Sequence, residues 1–178
     1  MLNQDNTLII GIDIQDKLVN MLKNNSAIST NCIKLLRAAN ILDIPTILTE
    51  QYPKGLGSTI ADIKSIYEFK TLEKTSFSAY STNEIKDEIK KYNAKNILIF
   101  GIETHICVYQ TVIELLENNY NVYVVNDCSS SRNEFNHSTA LELMKQNGAK
   151  ITSLEIVLFE FLKSSKHPNF KEVQNLIK

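Results

Sequence analysis

An aspartate, a lysine and a cysteine stand at comparable places in the sequence, each where a short apolar run ends. Asp13 closes the first run as its only charge, Lys74 follows the third run, and Cys107 lies just past the fourth. A carboxylate beside a thiol can accept its proton, and an ammonium group together with helix N-terminal amides favours the resulting thiolate. Backbone N–H groups in the turn from Glu103 to Cys107 are suited to hold an oxyanion formed on a carbonyl substrate. These residue types predict acyl transfer by a cysteine nucleophile.

Taken singly, the same three residues have ordinary structural explanations. A cysteine in an amphipathic helix usually packs in the core, and an aspartate at a strand end often caps a turn or a helix. A lysine between Glu73 and Thr75 is normally a solvated charge. Composition and spacing alone therefore indicate an α/β enzyme whose chemistry stays open.

The elements that must position these residues alternate along the chain. Continuous apolar runs, such as residues 8–12 and 97–100, suit strands that are buried on both faces of a parallel sheet. Six strands are predicted, at residues 7–13, 45–50, about 67–73, 96–101, 121–126 and, more weakly, 149–152. Helices are predicted at residues 27–42, 83–92, 106–118 and 135–146, with a short last helix in the tail at 167–178. This order predicts one doubly wound α/β domain over residues 1–178, with helices on both faces of the sheet.

The three chemical residues all open onto the carboxyl edge of this sheet. Ligands of open α/β sheets bind at that edge where the connections reverse direction, which in the common strand order lies between strands one and four. Asp13 and Cys107 are therefore expected to be neighbours. The Gly- and Pro-rich stretch at residues 51–58 follows the second strand, and it is predicted to be a loop that faces the ligand or simply connects two elements.

Composition and charge exclude several classes of function. The 178 residues carry a formal net charge of −1 with dispersed charges, which gives no reason to expect nucleic acid or an anionic membrane surface as a partner. A small-molecule substrate remains. No GxGxxG follows the first strand, where Gly11 is the only glycine, so a nucleotide-binding domain is disfavoured and no cofactor is expected.

The cysteines and the amino terminus predict a location. Cys32, Cys107 and Cys128 form an odd set without a CxxC pair, which fits neither a disulfide framework nor a zinc ribbon. No basic leader is visible at the start, and no apolar run approaches the roughly 18 residues of a membrane span. A cytoplasmic protein with reduced thiols is expected, in which Cys32 and Cys128 are structural.

Three segments read together resemble the signature blocks of the isochorismatase-like cysteine hydrolases, in order and in spacing. They are residues 12–15 (IDIQ), 73–78 (EKTSFS) and 101–108 (GIETHICV). The resemblance extends through residues 49–57, 127–132 and 167–171, so it covers nearly the whole chain. These additional segments are similar to the small subgroup of isochorismatase domain-containing proteins.

The resemblance implies a three-layer Rossmann-like domain with a six-stranded parallel sheet, and it implies roles for particular residues. Asp13 would be the base, Lys74 the charge-stabilising partner and Cys107 the nucleophile. A cis peptide bond would join Ile102 and Glu103 and turn the backbone N–H groups of Glu103 and Cys107 inward as an oxyanion hole. Homo-oligomers, as dimers or larger assemblies, are also implied.

Departures from named relatives narrow the expected activity. Nicotinamidases of this family place a metal-binding aspartate and histidines after the second strand, whereas residues 50–53 here read EQYP, so no metal site is expected. Isochorismatases that hydrolyse a vinyl ether can dispense with the cysteine. The presence of Cys107 therefore favours metal-independent hydrolysis of an amide-like C–N bond through a covalent acyl-enzyme. The alternative is a non-catalytic or thiol-regulatory oligomeric protein that keeps the hydrolase pocket.

Further residues are candidates for the pocket. Gln15 lies in the first signature block, and Gln51, Tyr52 and Phe77 lie in segments that follow predicted strands; all four are predicted to line the substrate pocket, with core packing an equal alternative for the two aromatic residues. His105 is expected either to face the site or to cap its helix. Arg132 follows the fifth strand, where it could bind a carboxylate, start a helix or form an interface.

Overall fold

Six parallel strands form the centre of the computed structural model, which describes residues 2–178. The strands are β1 (Thr7–Ile12), β2 (Thr46–Gln51), β3 (Lys70–Lys74), β4 (Asn96–Ile102), β5 (Asn121–Ser130) and β6 (Lys150–Thr152). Their spatial order is β3-β2-β1-β4-β5-β6, and every neighbouring pair is parallel. The predicted six-stranded parallel sheet is confirmed, and its connections reverse direction between β1 and β4.

Helices cover both faces of the sheet, as predicted. They are α1 (Asp16–Asn20), α2 (Asn25–Ile41), α3 (Pro53–Leu56), α4 (Ala61–Lys64), α5 (Asn83–Lys91), α6 (Tyr109–Glu117), α7 (Glu134–Gln146), α8 (Leu154–Leu162) and α9 (Phe170–Asn175). Successive strand residues point to opposite faces, so Ile9 packs with α2 and α8 in one core cluster. Leu8 and Ile10 pack with α5, α6 and α7 in the other. Burial on both faces explains why the strands read as continuous apolar runs.

Several elements differ from the sequence prediction. The short helices α1, α3 and α4 were not predicted, because four or five residues are too few to show a helical period. The predicted fifth strand stops at residue 126, but β5 continues to Ser130, because a register shift of β5 against β4 between Ile99 and Gly101 places its polar middle within the strand. The predicted helix at 106–118 begins with a π-helical turn, Thr104–Val108. Helix α8 was not predicted, because its nearly uniform apolar sequence hides the helical period.

Gly101 brings the ends of β1 and β4 together. Its φ is +130°, and a Cβ at this position would clash with the carbonyl oxygen of Ile12, with which Gly101 is in register. Only glycine fits such an approach of two backbones. The residues that follow the two strands, Asp13 and the turn that contains Cys107, are thereby held side by side.

Within residues 2–178, no helix combines the length and the apolar character that crossing a bilayer requires. The assignment of residues 1–178 to one domain stays a prediction.

Candidate active site

Asp13 is fully buried at the end of β1, and both of its carboxylate oxygens accept hydrogen bonds. The Thr49 hydroxyl donates to Oδ1 over 2.6 Å, and the Lys74 ammonium donates to Oδ2 over 2.7 Å. The backbone N–H of Asp13 donates to the carbonyl oxygen of Thr49 over 3.1 Å. A carboxylate bound on both oxygens has a fixed plane, and donors to its oxygens favour the ionised form.

Lys74, the last residue of β3, has a side chain with 0% exposure. Besides Asp13, its ammonium donates to Gln51 Oε1 over 2.7 Å and to the carbonyl oxygens of Ser76 and Phe77 over 3.2 and 3.1 Å. An ammonium group has three N–H donors and no acceptor, so four surrounding oxygens match the charged form. Lys74 therefore acts here as a fixed positive charge beside Asp13.

Cys107 lies in the π-helical turn after β4 and is 6% exposed. The charges of Asp13 and Lys74 both act on its thiol. Burial, followed by the negative charge of Asp13, raises the pKa of the Cys107 thiol to about 12, although the positive charge of Lys74 acts in the opposite direction. Lys74 lowers the pKa of the thiol, as the sequence indicates, but burial and the charge of Asp13 raise it by more. The resting site holds a protonated thiol against a carboxylate.

Thr111 connects the turn of Cys107 to the loop after β3. Its hydroxyl donates to the carbonyl oxygen of Cys107 over 2.7 Å and accepts from the N–H of Ala79 over 2.9 Å. One helical turn later, Glu114 accepts from the hydroxyl of Ser78 over 2.8 Å. The loop whose carbonyl groups hold Lys74 is thus tied to the helix that follows the nucleophile.

His137 of α7 fixes the start of the same turn. Its Nε2 lies 3.0 Å from Asn126 Oδ1, and its Nδ1 lies 2.9 Å from the hydroxyl of Thr104. Burial lowers the pKa of His137, against the weaker opposing effect of Glu134. In the neutral ring, Nε2 donates to the Asn126 carbonyl oxygen and Nδ1 accepts from the Thr104 hydroxyl, which follows from the donors and acceptors present.

The peptide bond between Ile102 and Glu103 is cis, which confirms that prediction. The carbonyl oxygen of Glu103 accepts from the N–H groups of Ile106 and Val108, over 3.0 and 3.3 Å. Cys107 lies between them in the first turn of the helix, where N–H groups have no acceptor four residues back within the helix. The oxyanion hole formed by the N–H groups of Glu103 and Cys107 stays a prediction.

Arg132 and His105 lie beside this turn. The N–H of Arg132 donates to the buried Glu103 carboxylate over 3.0 Å, and its guanidinium Nε lies 3.6 Å from the same oxygen. More than half of the Arg132 side chain is exposed. His105 Nδ1 lies 2.9 Å from the hydroxyl of Ser131. Arg132 therefore forms an ion pair at the rim of the site, and its helix, α7, begins two residues later.

The four predicted pocket residues occupy two kinds of position. Gln15 is fully buried: its Nε2 donates to the carbonyl oxygens of Gln51 and Gly57 over 3.1 and 2.6 Å, and its Oε1 accepts from the N–H of Gln51 over 2.7 Å. Its amide therefore holds the loop after β2. Gln51 contacts Lys74, whereas Tyr52 and Phe77 are about half exposed. Their role in binding substrate stays a prediction.

A cavity of about 340 Å³ adjoins the lysine. Its walls are Tyr52, Pro53, Lys54, Glu73, Lys74, Thr75 and Thr82. The loop at residues 51–58 contains the short helix α3 and contributes to these walls, so it lies at the same edge of the sheet as the three chemical residues.

The other two cysteines lie apart from the cluster. Cys32 and Cys128 are fully buried free thiols, and Cys32 Sγ donates to the carbonyl oxygen of Cys128 over 3.3 Å. Burial raises the pKa of Cys128 well above its ordinary value. Their position between α2 and β5 fits the structural role that the sequence indicates. Among the described residues, no group of three or more His, Cys, Asp and Glu side chains is arranged to hold a metal ion.

Three residues with clear positions in the site carried no role in the sequence analysis: Thr49, Thr111 and His137. Thr49 offers a signal, because β2 and β1 are parallel and Thr49 is in register with Ile12, the residue before Asp13. Thr111 lies four residues after Cys107 and therefore on the same face of its helix. His137 is 33 residues from Thr104, and no local pattern connects the two.

Comparisons with known proteins show the family to which the chain belongs. The chain matches the Isochorismatase domain over residues 7–156. It is 38% identical to isochorismatase family protein 1A of Dictyostelium discoideum, over 97% of this chain and 86% of that protein. It is 37% identical to isochorismatase domain-containing protein 2 of Xenopus laevis, over 99% of this chain and 85% of that protein.

A solved structure from Caenorhabditis elegans, described as the MAR1 ribonuclease, is also similar. It is 40% identical, with a TM-score of 0.93 over 99% of this chain and 91% of that chain. The six-stranded parallel sheet with helices on both faces is the fold of the isochorismatase-like α/β hydrolases. The chain belongs to the isochorismatase family. The resemblance seen in the three signature blocks is thereby confirmed.

Proposed function

We propose that this protein hydrolyses an amide-like C–N bond of a small molecule through a covalent acyl-enzyme on Cys107. One observation carries the proposal: the Cys107 thiol is buried against the Asp13 carboxylate, which the Lys74 ammonium holds over 2.7 Å. A nucleophile, a base beside it and a third group that orients the base form the arrangement of covalent catalysis.

In the first step, Asp13 accepts the proton of the thiol while Cys107 Sγ forms a bond to the substrate carbonyl carbon. The electron pair of the carbonyl double bond moves to oxygen, and we assign the N–H groups of Glu103 and Cys107 as donors to this oxyanion. Because the resting thiol is protonated, the thiolate is generated as it attacks. Lys74 stays charged throughout and offsets the negative charge of the site.

In the second step, the oxyanion collapses and the C–N bond breaks. The carboxylic acid of Asp13 gives its proton to the leaving nitrogen, so ammonia or an amine departs and an acyl thioester remains on Cys107. Asp13 then takes a proton from water, whose oxygen attacks the acyl carbon, and the departing sulfur regains a proton from Asp13. No step is assigned to a metal ion or a cofactor.

A small substrate fits this site better than RNA, which is the class named for the C. elegans relative. The side chains of Asp13 and Lys74 have 0% exposure, so a reacting group must enter a recess. The chain has a net charge of −1, whereas proteins that bind nucleic acid neutralise phosphates with clustered Lys and Arg. A thiol sensor is supported less, since sensor cysteines are exposed and have low pKa values.

The test is turnover of a panel of small amides, carbamates and ureas, with an RNA oligonucleotide as a competing substrate. Wild type and Cys32→Ala are expected to hydrolyse the same panel member, and Cys107→Ala is expected to retain its fold and lose turnover. Cys32 is a matched control because it is also a buried free thiol. Full amide turnover by Cys107→Ala contradicts the mechanism. If wild type cleaves the RNA and Cys107→Ala does not, the substrate is RNA rather than a small amide.

Assembly and location are also proposals. Ile156 and Phe159 lie three residues apart on α8, with exposures of 55% and 40%, which supports a homo-oligomer that covers this face of the helix. Light scattering during size-exclusion chromatography tests this, and a monomer contradicts it. A cytoplasmic location stays a prediction from the reduced thiols.

A further inference from the structure

Thr49 is a buried hydroxyl aimed at the base of the site. It is 1% exposed on β2, and its Oγ1 lies 2.6 Å from Asp13 Oδ1. The direction of this bond follows from Lys74, because an aspartate whose other oxygen binds an ammonium group is ionised and can only accept. Thr49 therefore donates to Asp13.

The contact is supported on both sides by the sheet. The backbone N–H of Asp13 donates to the carbonyl oxygen of Thr49 over 3.1 Å, so the two residues share a backbone bond and a side-chain bond. A Thr side chain has few rotamers, and its hydroxyl is held toward the aspartate by the strand. The neighbouring Glu50 points away and accepts from Thr59 instead.

We propose that Thr49 is a positioning residue that fixes the plane of the Asp13 carboxylate for proton transfer from Cys107. The proposal rests on the proposed function, since it assigns Thr49 a part in the action of that base. With Thr49 on Oδ1 and Lys74 on Oδ2, one acceptor position on each oxygen is taken. The two bonds together restrain rotation of the carboxylate, so its remaining acceptor positions keep a fixed direction in the site.

The two donors reach Asp13 from different strands. Lys74 reaches Oδ2 from β3 with a positive charge, while Thr49 adds a neutral donor to Oδ1 from β2. Without the Thr49 hydroxyl, Oδ1 loses this donor and the Lys74 ammonium at Oδ2 remains. Proton transfer from Cys107 to Asp13 is therefore expected to slow, because a small displacement of a catalytic group lowers the rate steeply.

The experiment measures kcat and KM on the panel amide that wild type hydrolyses. In Thr49→Val, kcat is expected to fall by about tenfold while KM stays near its wild-type value, because the substrate still binds and the proton transfer is slower. Thr49→Ser is expected to restore most of the wild-type kcat. Thr46→Val is the matched control, because Thr46 is also buried on β2 but donates to the carbonyl oxygen of Ile44. It is expected to leave kcat unchanged.

An unchanged kcat in Thr49→Val overturns the inference, as does an equal fall in Thr46→Val. Thr49→Ala serves as a second variant without the hydroxyl if Thr49→Val does not fold, and the same outcomes apply to it. Failure of the proposed function appears instead in wild type that hydrolyses no panel member, or as amide turnover that survives Cys107→Ala, so the two failures are distinguishable.

Discussion

Cys107 and Cys128 are both buried thiols with a raised pKa, yet only one lies in an arrangement that can react. Burial is the largest cause of the raised pKa in both. The charges of Asp13 and Lys74 both act on the Cys107 thiol, whereas the groups that act on Cys128 are the Cys32 thiol and the charge of Asp127. In the mechanism that we propose, the reactivity of Cys107 therefore depends on a base and a cation beside the sulfur rather than on an easily ionised thiol.

The comparison is tested most strongly by removing each sulfur. Cys107→Ser is expected to lower amide turnover by at least about a thousandfold, because a serine hydroxyl is a much weaker nucleophile at the same place. Cys128→Ser is expected to keep turnover, since its sulfur lies away from the base and the cation. Steady-state kinetics on the active panel member measures both. Equal losses of turnover in Cys107→Ser and Cys128→Ser would contradict the proposed difference between the two thiols.

The role of the Lys74 cation is tested by measuring the stability of the protein. Lys74→Met leaves the buried Asp13 carboxylate without its counter-charge, which is expected to lower the free energy of unfolding by about 3–5 kcal/mol. Lys91 is the control, because it also forms an ion pair over 2.8 Å, with Glu88, but its side chain is 68% exposed. Lys91→Met is expected to cause no measurable change. Urea unfolding measures the free energy of unfolding of both variants. Similar small decreases in the two variants would contradict the buried Asp13–Lys74 ion pair.

The base is tested by separating thiol ionisation from catalysis. The Asp13 charge raises the pKa of Cys107, so Asp13→Asn is expected to lower that pKa and to speed alkylation of Cys107 by iodoacetamide at pH 8 by about tenfold. Turnover is expected to fall in the same variant, because the base is gone. Peptide-resolved mass spectrometry measures alkylation at Cys107, with Cys128 as the internal comparison. Slower alkylation, or retained turnover, contradicts the assigned role of Asp13.

The smallest expected effect concerns His137, which holds the start of the turn. Its pKa is lowered in the folded protein, so its neutral form contributes stability that is present above the ordinary histidine pKa of about 6.5. That stability is lost as the pH falls from there through the folded pKa. His137→Gln is therefore expected to reduce the loss of unfolding free energy between pH 7 and 5, by less than about 1 kcal/mol. His167→Gln, in the tail before α9, is expected to show the pH dependence of wild type. If His167→Gln changes that dependence as much as His137→Gln does, the effect cannot be assigned to His137.

The sheet was predictable from the sequence because burial on both faces leaves continuous apolar runs, and the strand ends then indicated Asp13, Lys74 and Cys107. Helix α8 was missed because its exposed side carries the apolar residues Ile156 and Phe159, and the end of β5 was missed because polar Asn126 and Asp127 lie within the strand. In both segments, the local pattern of apolar and polar residues does not indicate the element that forms.

The protonation state of the Cys107 thiol could not be predicted from the sequence, for a different reason. The motifs place a lysine and a carboxylate near Cys107, but the balance among burial, Asp13 and Lys74 depends on distances that only the folded chain defines. The same holds for Thr49 and His137, whose partners are 36 and 33 residues away. Long-range hydrogen bonds between ordinary residue types leave no periodic signal.

The most direct test of the central claim is to trap the acyl-enzyme. Wild-type protein is quenched with acid during turnover of an active amide, digested and analysed by mass spectrometry. The peptide with Cys107 is expected to carry the mass of the substrate acyl group, and the peptides with Cys32 and Cys128 are expected to carry none. Turnover with unmodified Cys107 under the same quench, together with full activity of Cys107→Ala, would contradict it.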